Sequence, residues 1–319
     1  MKSNSFRWGI LGPGRIAHKF ASSLPCSKNG ILTAVASKDY QRAQNFAKEY
    51  NADHCFSSYL DLIQSDTVDA IYIATPHSFH FENAALCLKN GKPVLCEKPL
   101  TLSVDESQRL VDLSVNHNTF LMEGMWTVFL PHFVQCQKWI AEGRIGEIVH
   151  VQADFGYLAE NNPENRLYNP SLGGSVTKDI GIYPLTLFYK LLGLPHTLNT
   201  LGTRALTGVD NHVVFQGINS SKSTFQGMVS FLAESEVAAS IVGTKGRIHI
   251  HSQWLRPAKA TLQTADSTEV FEEKVPGFGF QFEANEVESC VNSGKIESSV
   301  WSHQDSINIA KLISMVEMV

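Results

Sequence analysis

The sequence lacks a long apolar run, because no segment approaches the roughly 20 consecutive apolar residues that span a bilayer. It also lacks an excess of positive charge, with 26 Lys and Arg against 31 Asp and Glu and a formal net charge of −5. A general nucleic-acid binder carries a basic footprint, so this balance argues against that class. We therefore expect a protein that acts on neither a membrane nor a nucleic acid.

Paired cysteines and metal-ligand spacings are missing as well. The six cysteines include no C-x-x-C pair, which argues against structural disulfides and against a zinc site. The N-terminus shows no apolar signal segment and no small-residue cleavage site. We expect a cytoplasmic protein with reduced thiols and no bound metal. The cysteines are Cys26, Cys55, Cys87, Cys96, Cys136 and Cys290.

What the sequence does have is length and a regular alternation. Its 319 residues, 43% of them hydrophobic, suffice for two globular domains. Over residues 1–123 apolar strands alternate with amphipathic helices, a pattern that predicts a doubly wound parallel sheet with helices on both faces. The predicted strands are Phe6–Leu11, Ile31–Ser37, Ala70–Ala74, Pro93–Cys96 and Phe120–Glu123. The predicted helices are Ile16–Ser23, Tyr40–Tyr50, Phe79–Asn90 and Val104–Asn116.

Residues 124–319 have a different texture, with short β-rich segments and few long helices. This texture predicts an α+β domain in which helices cover one face of a large, mostly antiparallel sheet. We leave open whether the C-terminal helix packs back on the first domain. The predicted strands are Gly146–Gly156, Val213–Gly217, Ser223–Phe231, Glu236–Val242, Gly246–His251 and Ala260–Thr264, and the helices are Pro131–Glu142, Asp179–Leu192 and Gln304–Met318.

A glycine-rich segment, Gly12-Pro13-Gly14-Arg15-Ile16-Ala17, lies between the first predicted strand and helix. Gly12 permits a tight turn, Gly14 lets backbone approach a ligand, and Ala17 permits close packing of helix on strand. Phosphates would then face free N–H groups at the helix start. We predict a dinucleotide pyrophosphate site here. The alternative is an ordinary strand–helix turn, because such glycine patterns are common.

The end of the second predicted strand bears on the choice of dinucleotide. NAD-binding sheets carry an acidic residue there, but this chain has Ser37 followed by Lys38. A hydroxyl beside a cation suits the 2′-phosphate of NADP, so we predict NADP, with dual use or NAD as alternatives. Lys38 is otherwise a solvated surface lysine, and Asp39 lies late enough to cap the next helix instead.

Two further segments follow buried strands and should reach the same edge of the sheet as the glycine turn. They are Thr75-Pro76 and Glu97-Lys98-Pro99, and we expect them to line one crevice. A lysine at such a crevice is costly to desolvate unless it has a partner or a chemical role. The alternative for Lys98 is a solvated loop. His80 is expected to pack beside the cofactor rather than to catalyse.

A second constellation lies in the predicted C-terminal domain, where Gly173-Gly174 precedes a helical segment. Asp179 and Tyr183 are four residues apart and therefore share one face of that helix. A phenol in this position is either a buried structural group or a general acid/base, and spacing alone leaves both open.

Together these motifs resemble the glucose–fructose oxidoreductase, inositol dehydrogenase and MocA-like (Gfo/Idh/MocA) family. Within it the resemblance is greatest to the branch of dimeric dihydrodiol dehydrogenases and NADP-linked xylose dehydrogenases. It spans nearly the whole chain in the right order. Beyond the segments already quoted, the matching motifs are Met122-Glu123-Gly124-Met125-Trp126, Asp179-Ile180-Gly181-Ile182-Tyr183, Gly243-Thr244-Lys245-Gly246, Gly294-Lys295 and Glu297-Ser298.

The resemblance implies hydride transfer between a nicotinamide cofactor and a sugar, polyol or diol, without a metal. It places the family's catalytic lysine at Lys98 and its helix aspartate at Asp179. Many members have histidine where this chain has Tyr183, and the dihydrodiol dehydrogenase branch has tyrosine. We therefore predict that Tyr183 is the general acid/base, that Lys98 polarises the substrate oxygen, and that Asp179 holds a second hydroxyl or orients the lysine.

Weaker predictions concern substrate contacts and assembly. Trp126 and Phe155 are candidates for a pocket wall, with core packing as the alternative, and Arg204 for a substrate contact, with a surface salt bridge as the alternative. The resemblance also implies a dimer or tetramer formed through the second-domain sheet. A different function class, a non-catalytic NAD(P)-binding sensor, stays open because related folds sometimes keep the nucleotide cleft and lose chemistry.

Overall fold

The computed structural model describes residues 5–317, which contain fourteen strands and nine α-helices. The strands are β1 Phe6–Leu11, β2 Gly30–Ala36, β3 His54–Phe56, β4 Ala70–Ile73, β5 Val94–Glu97, β6 Leu121–Gly124, β7 Ile148–Gly156, β8 Thr197–Arg204, β9 Asp210–Ile218, β10 Thr224–Ser230, β11 Ala239–Gly243, β12 Gly246–Ile250, β13 Ala260–Thr264 and β14 Thr268–Phe271. The helices are α1 Arg15–Ser23, α2 Tyr40–Tyr50, α3 Tyr59–Gln64, α4 His80–Lys89, α5 Val104–Asn116, α6 Pro131–Ala141, α7 Ile182–Leu192, α8 Phe280–Asn292 and α9 His303–Val316.

The first sheet has six strands in the order β3-β2-β1-β4-β5-β6, and every pairing is parallel. Strands β4, β5 and β6 are buried along their whole length, as expected when helices cover both faces of a parallel sheet. The order reverses between β1 and β4, which is where doubly wound sheets bind ligands. The predicted Rossmann sheet is confirmed.

The chain divides into two compact units, and the division is not a single cut. The first unit comprises residues up to Trp126 together with Val275–Ile307, and the second comprises Thr127–Lys274 and the residues from Asn308 onward. The domains predicted from the sequence, 1–123 and 124–319, place the whole C-terminal part in the second domain. In the observed division into compact units, α8 and the start of α9 instead belong to the first unit.

Aromatic packing explains why α8 belongs to the first unit. Phe20 of α1 stacks on Tyr72 of β4 at 3.9 Å between ring centroids, and Phe280 of α8 meets Phe20 edge-on at 6.4 Å. The indole N–H of Trp8 donates to Glu288 of α8 at 3.4 Å. Because Trp8 and Phe20 are fully buried, α8 completes a core that residues 5–126 alone leave open.

The second unit is built on an eight-stranded sheet in the order β14-β13-β12-β11-β7-β10-β9-β8. All its pairings are antiparallel except that of β7 with β10. Alternate residues such as Phe225 and Val229 are buried, while their neighbours Gln226 and Met228 lie on the other face. The predicted mostly antiparallel sheet is confirmed, and β8 and β14 are additional strands at its two edges.

The helix predicted over Asp179–Leu192 differs from the observed one at its start. A π-turn at Thr177–Gly181 leads into α7, so Asp179 lies in a widened turn rather than in a regular α-helix. The predicted helix Gln304–Met318 corresponds to α9, and Met318 lies outside the described residues. Within residues 5–317 no helix is both long and apolar enough to cross a membrane.

Candidate active site

Backbone hydrogen bonds bring the loops after β1, β2 and β4 to one edge of the first sheet. The amide of Gly12 donates to the carbonyl of Ala36 at 3.1 Å, and the amide of Ala74 donates to the carbonyl of Leu11 at 2.9 Å. The glycine turn therefore lies between the ends of two neighbouring strands. Gly12-Pro13-Gly14, Ser37-Lys38 and Thr75-Pro76 are gathered at this edge.

The fold itself requires glycine at one position of this turn but not at the other. Gly12 has φ +84°, and a Cβ there would lie 2.9 Å from the Thr75 methyl group, so the fold itself demands glycine. Gly14 has extended backbone, and a Cβ there would meet only the Ala74 and Gly12 carbonyl oxygens at 3.9 and 4.0 Å. None of the described residues thus requires glycine at position 14, which leaves room for a ligand to approach.

The first backbone amides of α1 are not bound by a capping side chain among the described residues. Gly14 is the N-cap, no side chain of the described residues caps this end, and the first turn contains no acidic residue. Arg15 and Ile16 are the first two residues of the helix. Such an end retains free N–H groups and the positive pole of the helix dipole. The residues present therefore fit the pyrophosphate of a dinucleotide.

At the end of β2, two cations lie beside the glycine turn. Lys38 is exposed, with its ammonium 5.3 Å from the centroid of the Phe79 ring, and Arg42 donates to the carbonyl of Pro13 at 3.3 Å. Asp39 caps α2 by accepting from the amide of Arg42 at 3.2 Å, as its alternative interpretation predicts. Sequence inspection singled out Lys38 and missed Arg42, whose signal is its position one helical turn after Ser37-Lys38.

His80 is fully buried and joins two of the loops. Its Nδ1 lies 2.8 Å from the carbonyl of Pro99 and its Nε2 lies 2.9 Å from the carbonyl of Thr75. Two carbonyls can both be satisfied only by an imidazolium, whereas burial, the larger effect, lowers the pKa of His80. The geometry makes His80 a bridge between the loops after β4 and β5.

The segment Glu97-Lys98-Pro99 is anchored from below by buried groups. Glu97 ends β5 and accepts from the hydroxyl of Tyr72, while its second oxygen accepts from the amide of Lys98 at 3.2 Å. The Lys98–Pro99 peptide bond is cis, and the next amide, that of Leu100, donates to Glu123 at 2.8 Å. The backbone on both sides of Lys98 is therefore fixed by two buried carboxylates.

These carboxyl groups belong to an acidic interior that sequence inspection did not anticipate. Burial raises the pKa of Glu123 to about 7, even though it also accepts from the indole of Trp301 at 3.2 Å. Glu283 of α8 is 0% exposed, and neither of its oxygens has a hydrogen-bond partner among the described residues. Burial, and secondarily the charge of Glu97, hold the pKa of Glu283 well above its usual range.

In the second unit, Asp179 and Tyr183 lie on the π-turn and the first turn of α7, and both are buried. The guanidinium of Arg166 donates to the carboxylate of Asp179 at 3.0 Å. The ring of Phe155 lies 5.9 Å from that of Tyr183. Phe155 thus lies beside the phenol, and its role as a pocket wall stays a prediction. Arg166 was missed because it lies in an irregular loop with no periodicity.

The paired glycines explain how that loop reaches Asp179. A Cβ at Gly174 would lie 2.7 Å from the carbonyl oxygen of Leu167 and 2.9 Å from that of Arg166. Gly173 has φ +77° and ends the short helical turn Pro170–Leu172. The motif therefore allows the loop carrying Arg166 to pack closely against the segment that leads into the π-turn.

The remaining candidates are placed as follows. Trp126 is buried in the first unit and stacks on Phe280 at 4.5 Å with nearly parallel rings, so core packing accounts for it. Arg204 is exposed at the end of β8, where its Cα partner is Asp210 of β9. The described residues also bear on metal ligands and disulfides. Within residues 5–317 no group of three His, Cys, Asp or Glu side chains is arranged to hold a metal. None of the six cysteines, all within these residues, forms a disulfide.

Comparison with known proteins adds to this geometry. Residues 6–125 match the GFO_IDH_MocA model, an oxidoreductase family with an NAD-binding Rossmann fold, and residues 133–249 match the GFO/IDH/MocA C-terminal domain. A mouse (Mus musculus) trans-1,2-dihydrobenzene-1,2-diol dehydrogenase is 31% identical over 97% of this chain and 95% of its own. A D-xylose 1-dehydrogenase (NADP(+)) of Hypocrea jecorina is 29% identical over 96% of this chain and 89% of its own.

A solved structure shows similarity at the level of coordinates. The 3-ketoreductase KijD10 from Actinomadura kijaniata, crystallised with NADP and TDP-benzene, superposes with a TM-score of 0.84 at 26% identity. The superposition covers 98% of this chain and 97% of KijD10. The similarity therefore extends across both units of the chain.

Glu283 generates a prediction about the pH dependence of stability. Because its pKa is raised in the folded protein, the unfolded chain releases this proton first as pH rises. Its contribution to stability is complete below the unfolded pKa of about 4.3 and declines as pH rises above it. Glu283→Gln does not titrate, so we expect its free energy of unfolding, measured with urea, to exceed that of wild type increasingly between pH 5 and pH 8.

The exposed glutamate Glu82 of α4 provides the control, because Glu82→Gln changes the same chemical group without burial. Its difference from wild type should stay constant across the same pH range. A constant difference for Glu283→Gln as well would contradict a buried, protonated Glu283.

Proposed function

Because the chain belongs to the Gfo/Idh/MocA family of oxidoreductases, we propose that it is an NADP-dependent dehydrogenase or reductase acting on a CH–OH group of a sugar, polyol or vicinal diol. The observation that carries the proposal is the open, uncapped start of α1 at Gly14, in a chain that also keeps Lys98 and Tyr183. A bound nicotinamide supplies the hydride acceptor or donor, which no side chain can provide.

NADP is favoured over NAD by charge at the end of β2. Lys38 and Arg42 put two exposed cations near the turn that would hold the pyrophosphate, and Asp39 is engaged in capping α2. A 2′-phosphate would gain charge-assisted hydrogen bonds there, and the carboxylate of Asp39 already accepts from the amide of Arg42. The named relatives fit, since one is an NADP(+) xylose dehydrogenase and KijD10 was crystallised with NADP.

Replacing these cations should weaken NADP binding selectively. We expect Lys38→Ala and Arg42→Ala each to raise the dissociation constant of NADP roughly tenfold, the effect of losing one charge-assisted hydrogen bond, and to leave that of NAD unchanged. Isothermal titration with both cofactors measures this. Lys48→Ala, an exposed lysine at the far end of α2, is the control. Equal losses for NAD and NADP would contradict the assignment of the 2′-phosphate.

In the proposed reaction, Tyr183 takes the proton from the substrate hydroxyl as hydride leaves the same carbon, and returns it in the reverse direction. An unperturbed phenol has a pKa near 10, so this role needs a nearby positive charge that favours tyrosinate. We assign that charge, and the stabilisation of the developing alkoxide, to the ammonium of Lys98. The buried groups that fix the backbone around Lys98 support a role that requires accurate positioning.

The pair Asp179–Arg166 is proposed to orient the substrate. A carboxylate that already accepts one guanidinium hydrogen bond keeps oxygen lone pairs for a second donor, and a substrate hydroxyl is such a donor. Phe155, beside Tyr183, offers a ring face for the carbon skeleton of a sugar or diol. Two relatives are a xylose dehydrogenase and a dihydrobenzenediol dehydrogenase, and the substrates in these names are likewise a sugar and a diol.

Removing either proposed catalytic group should abolish most turnover without removing the cofactor. We expect Lys98→Met and Tyr183→Phe each to lower kcat at least about 100-fold, while the dissociation constant of NADP changes less than about threefold. The assay follows the nicotinamide absorbance with a panel of aldoses and vicinal diols. Tyr189→Phe is the control, because Tyr189 is a phenol on the same helix whose hydroxyl accepts from Asn308 at 3.0 Å.

The panel also tests the alternative function. Wild-type protein that binds NADP but turns over no member of the panel would favour a non-catalytic sensor. Near-normal rates from Lys98→Met or Tyr183→Phe would remove that residue from the mechanism. The cytoplasmic location expected from the sequence stays a prediction.

We further propose that the outer face of the eight-stranded sheet joins two or more copies of this chain. Register aligns Asn199, Gln216, Gln226 and Gln152 in one row across four strands, and Leu201, Val214 and Met228 in the next. Leu201 is 77% exposed. Amides in register beside an apolar row suit a self-complementary contact about a twofold axis.

A charge in the apolar row should therefore dissociate the assembly. We expect wild type to sediment as a dimer or tetramer and Leu201→Arg to shift towards monomer at the same concentration, measured by analytical ultracentrifugation. Val134→Arg is the control, because Val134 is an exposed apolar residue on α6. A wild-type protein that is monomeric at micromolar concentration would contradict the proposal.

A further inference from the structure

The π-turn at Thr177–Gly181 is the irregular feature closest to the proposed chemistry. It contains Asp179 and ends two residues before Tyr183. A π-turn is rare and is frequently found at functional sites, where the surrounding structure must hold an uncommon backbone conformation in place. The side chains of two consecutive residues, Thr177 and Lys178, are each bound to a distant part of the second unit.

The first of these contacts is buried. The hydroxyl of Thr177 donates to Oδ2 of Asp210, the first residue of β9, and the two residues are 0% and 1% exposed. The other carboxylate oxygen, Oδ1, has no hydrogen-bond partner within residues 5–317. The second contact joins the ammonium of Lys178 to the carboxylate of Glu317, just beyond α9.

A carboxyl group buried with one neutral donor is expensive for stability, because burial removes water that the single hydrogen bond does not replace. An apolar residue at position 210 would pack without that cost. Threonine within a helix often bonds its hydroxyl to a carbonyl one turn earlier, whereas here the hydroxyl binds Asp210. The contact therefore ties the turn to the start of β9.

We propose that Asp210 is a positioning residue for the reaction: through the hydroxyl of Thr177 it holds the π-turn, and the π-turn directs Asp179 and Tyr183 towards the substrate. This inference rests on the proposed function of Tyr183. Val229 of β10 lies behind the turn, since a Cβ on Gly181 would lie 3.5 Å from both its methyl group and that of Thr177. The turn is thus fixed by a hydrogen bond on one side and by packing on another.

The test compares isosteric variants of buried threonines. Thr177→Val removes the hydroxyl at constant shape, and we expect kcat to fall roughly tenfold or more and KM for the sugar or diol to rise, because small misplacements of reacting groups are costly. The dissociation constant of NADP should stay within about twofold of wild type, since Gly14 and Lys38 lie in the first unit. Thr177→Ser keeps the hydroxyl and should restore kcat.

Thr186 provides the matched control. It is a buried threonine on α7, three residues after Tyr183, and its hydroxyl has no partner among the described residues. Thr186→Val should leave kcat and KM unchanged. Asp210→Asn keeps an acceptor oxygen for the hydroxyl of Thr177 but replaces the carboxyl group with an amide, so its kcat should lie between those of wild type and Thr177→Val.

Thr177→Val with wild-type kcat and KM, whatever its melting temperature, would overturn the inference. Lys178–Glu317 still tethers the turn in that variant, which favours folding. If Thr177→Val nevertheless fails to fold, Asp210→Asn decides: wild-type kcat and KM from the folded Asn variant overturn the proposal, and a lowered kcat with unchanged NADP binding supports it. A fully active Tyr183→Phe would instead refute the proposed role of Tyr183, on which this inference rests.

Discussion

The pairing of β1 with β4 is the constraint on which the nucleotide half of the molecule depends. Trp8–Leu11 pairs with Ala70–Ile73, while the other edge of β1 pairs with β2, so the chain leaves the sheet in opposite directions on the two sides. Consecutive connections therefore diverge at this edge. The gap that they leave is where α1 begins, with Gly12 held against Thr75 and Gly14 left open.

Near that edge of the sheet several carboxyl groups are buried at positions where apolar side chains would make the folded protein more stable. Glu97 and Glu123 accept hydrogen bonds from the amides on either side of the Lys98–Pro99 bond, and Glu283 lies unpaired within the described residues nearby. A loop held only by apolar packing can shift by small amounts at little cost. A loop held by buried, directional bonds cannot, which suits the role proposed for Lys98.

Much of this architecture could be predicted from the sequence, because local patterns report local structure. β1, α2, α5 and β13 have the predicted bounds, and the glycine turn and Asp39 behave as their chemistry indicates. Short or half-exposed elements such as β3 and β14 escaped, since three or four residues give no usable periodicity. No local sequence pattern predicts the π-turn or the contact of the loop residue Arg166 with Asp179. Nor does one predict that Glu283, a charged residue type on α8, is buried.

The passage of the chain out of the first unit and back into it has a consequence for modularity. The nucleotide unit is discontinuous, because α8 supplies Phe280 and Glu288 to a core begun by Trp8 and Phe20. A fragment of the chain ending near Trp126 would lack α8, so the rings of Trp8 and Phe20 would be partly exposed to solvent. Exchange of the second unit between relatives thus calls for three junctions, near Trp126, Lys274 and Ile307, rather than a simple end-to-end fusion.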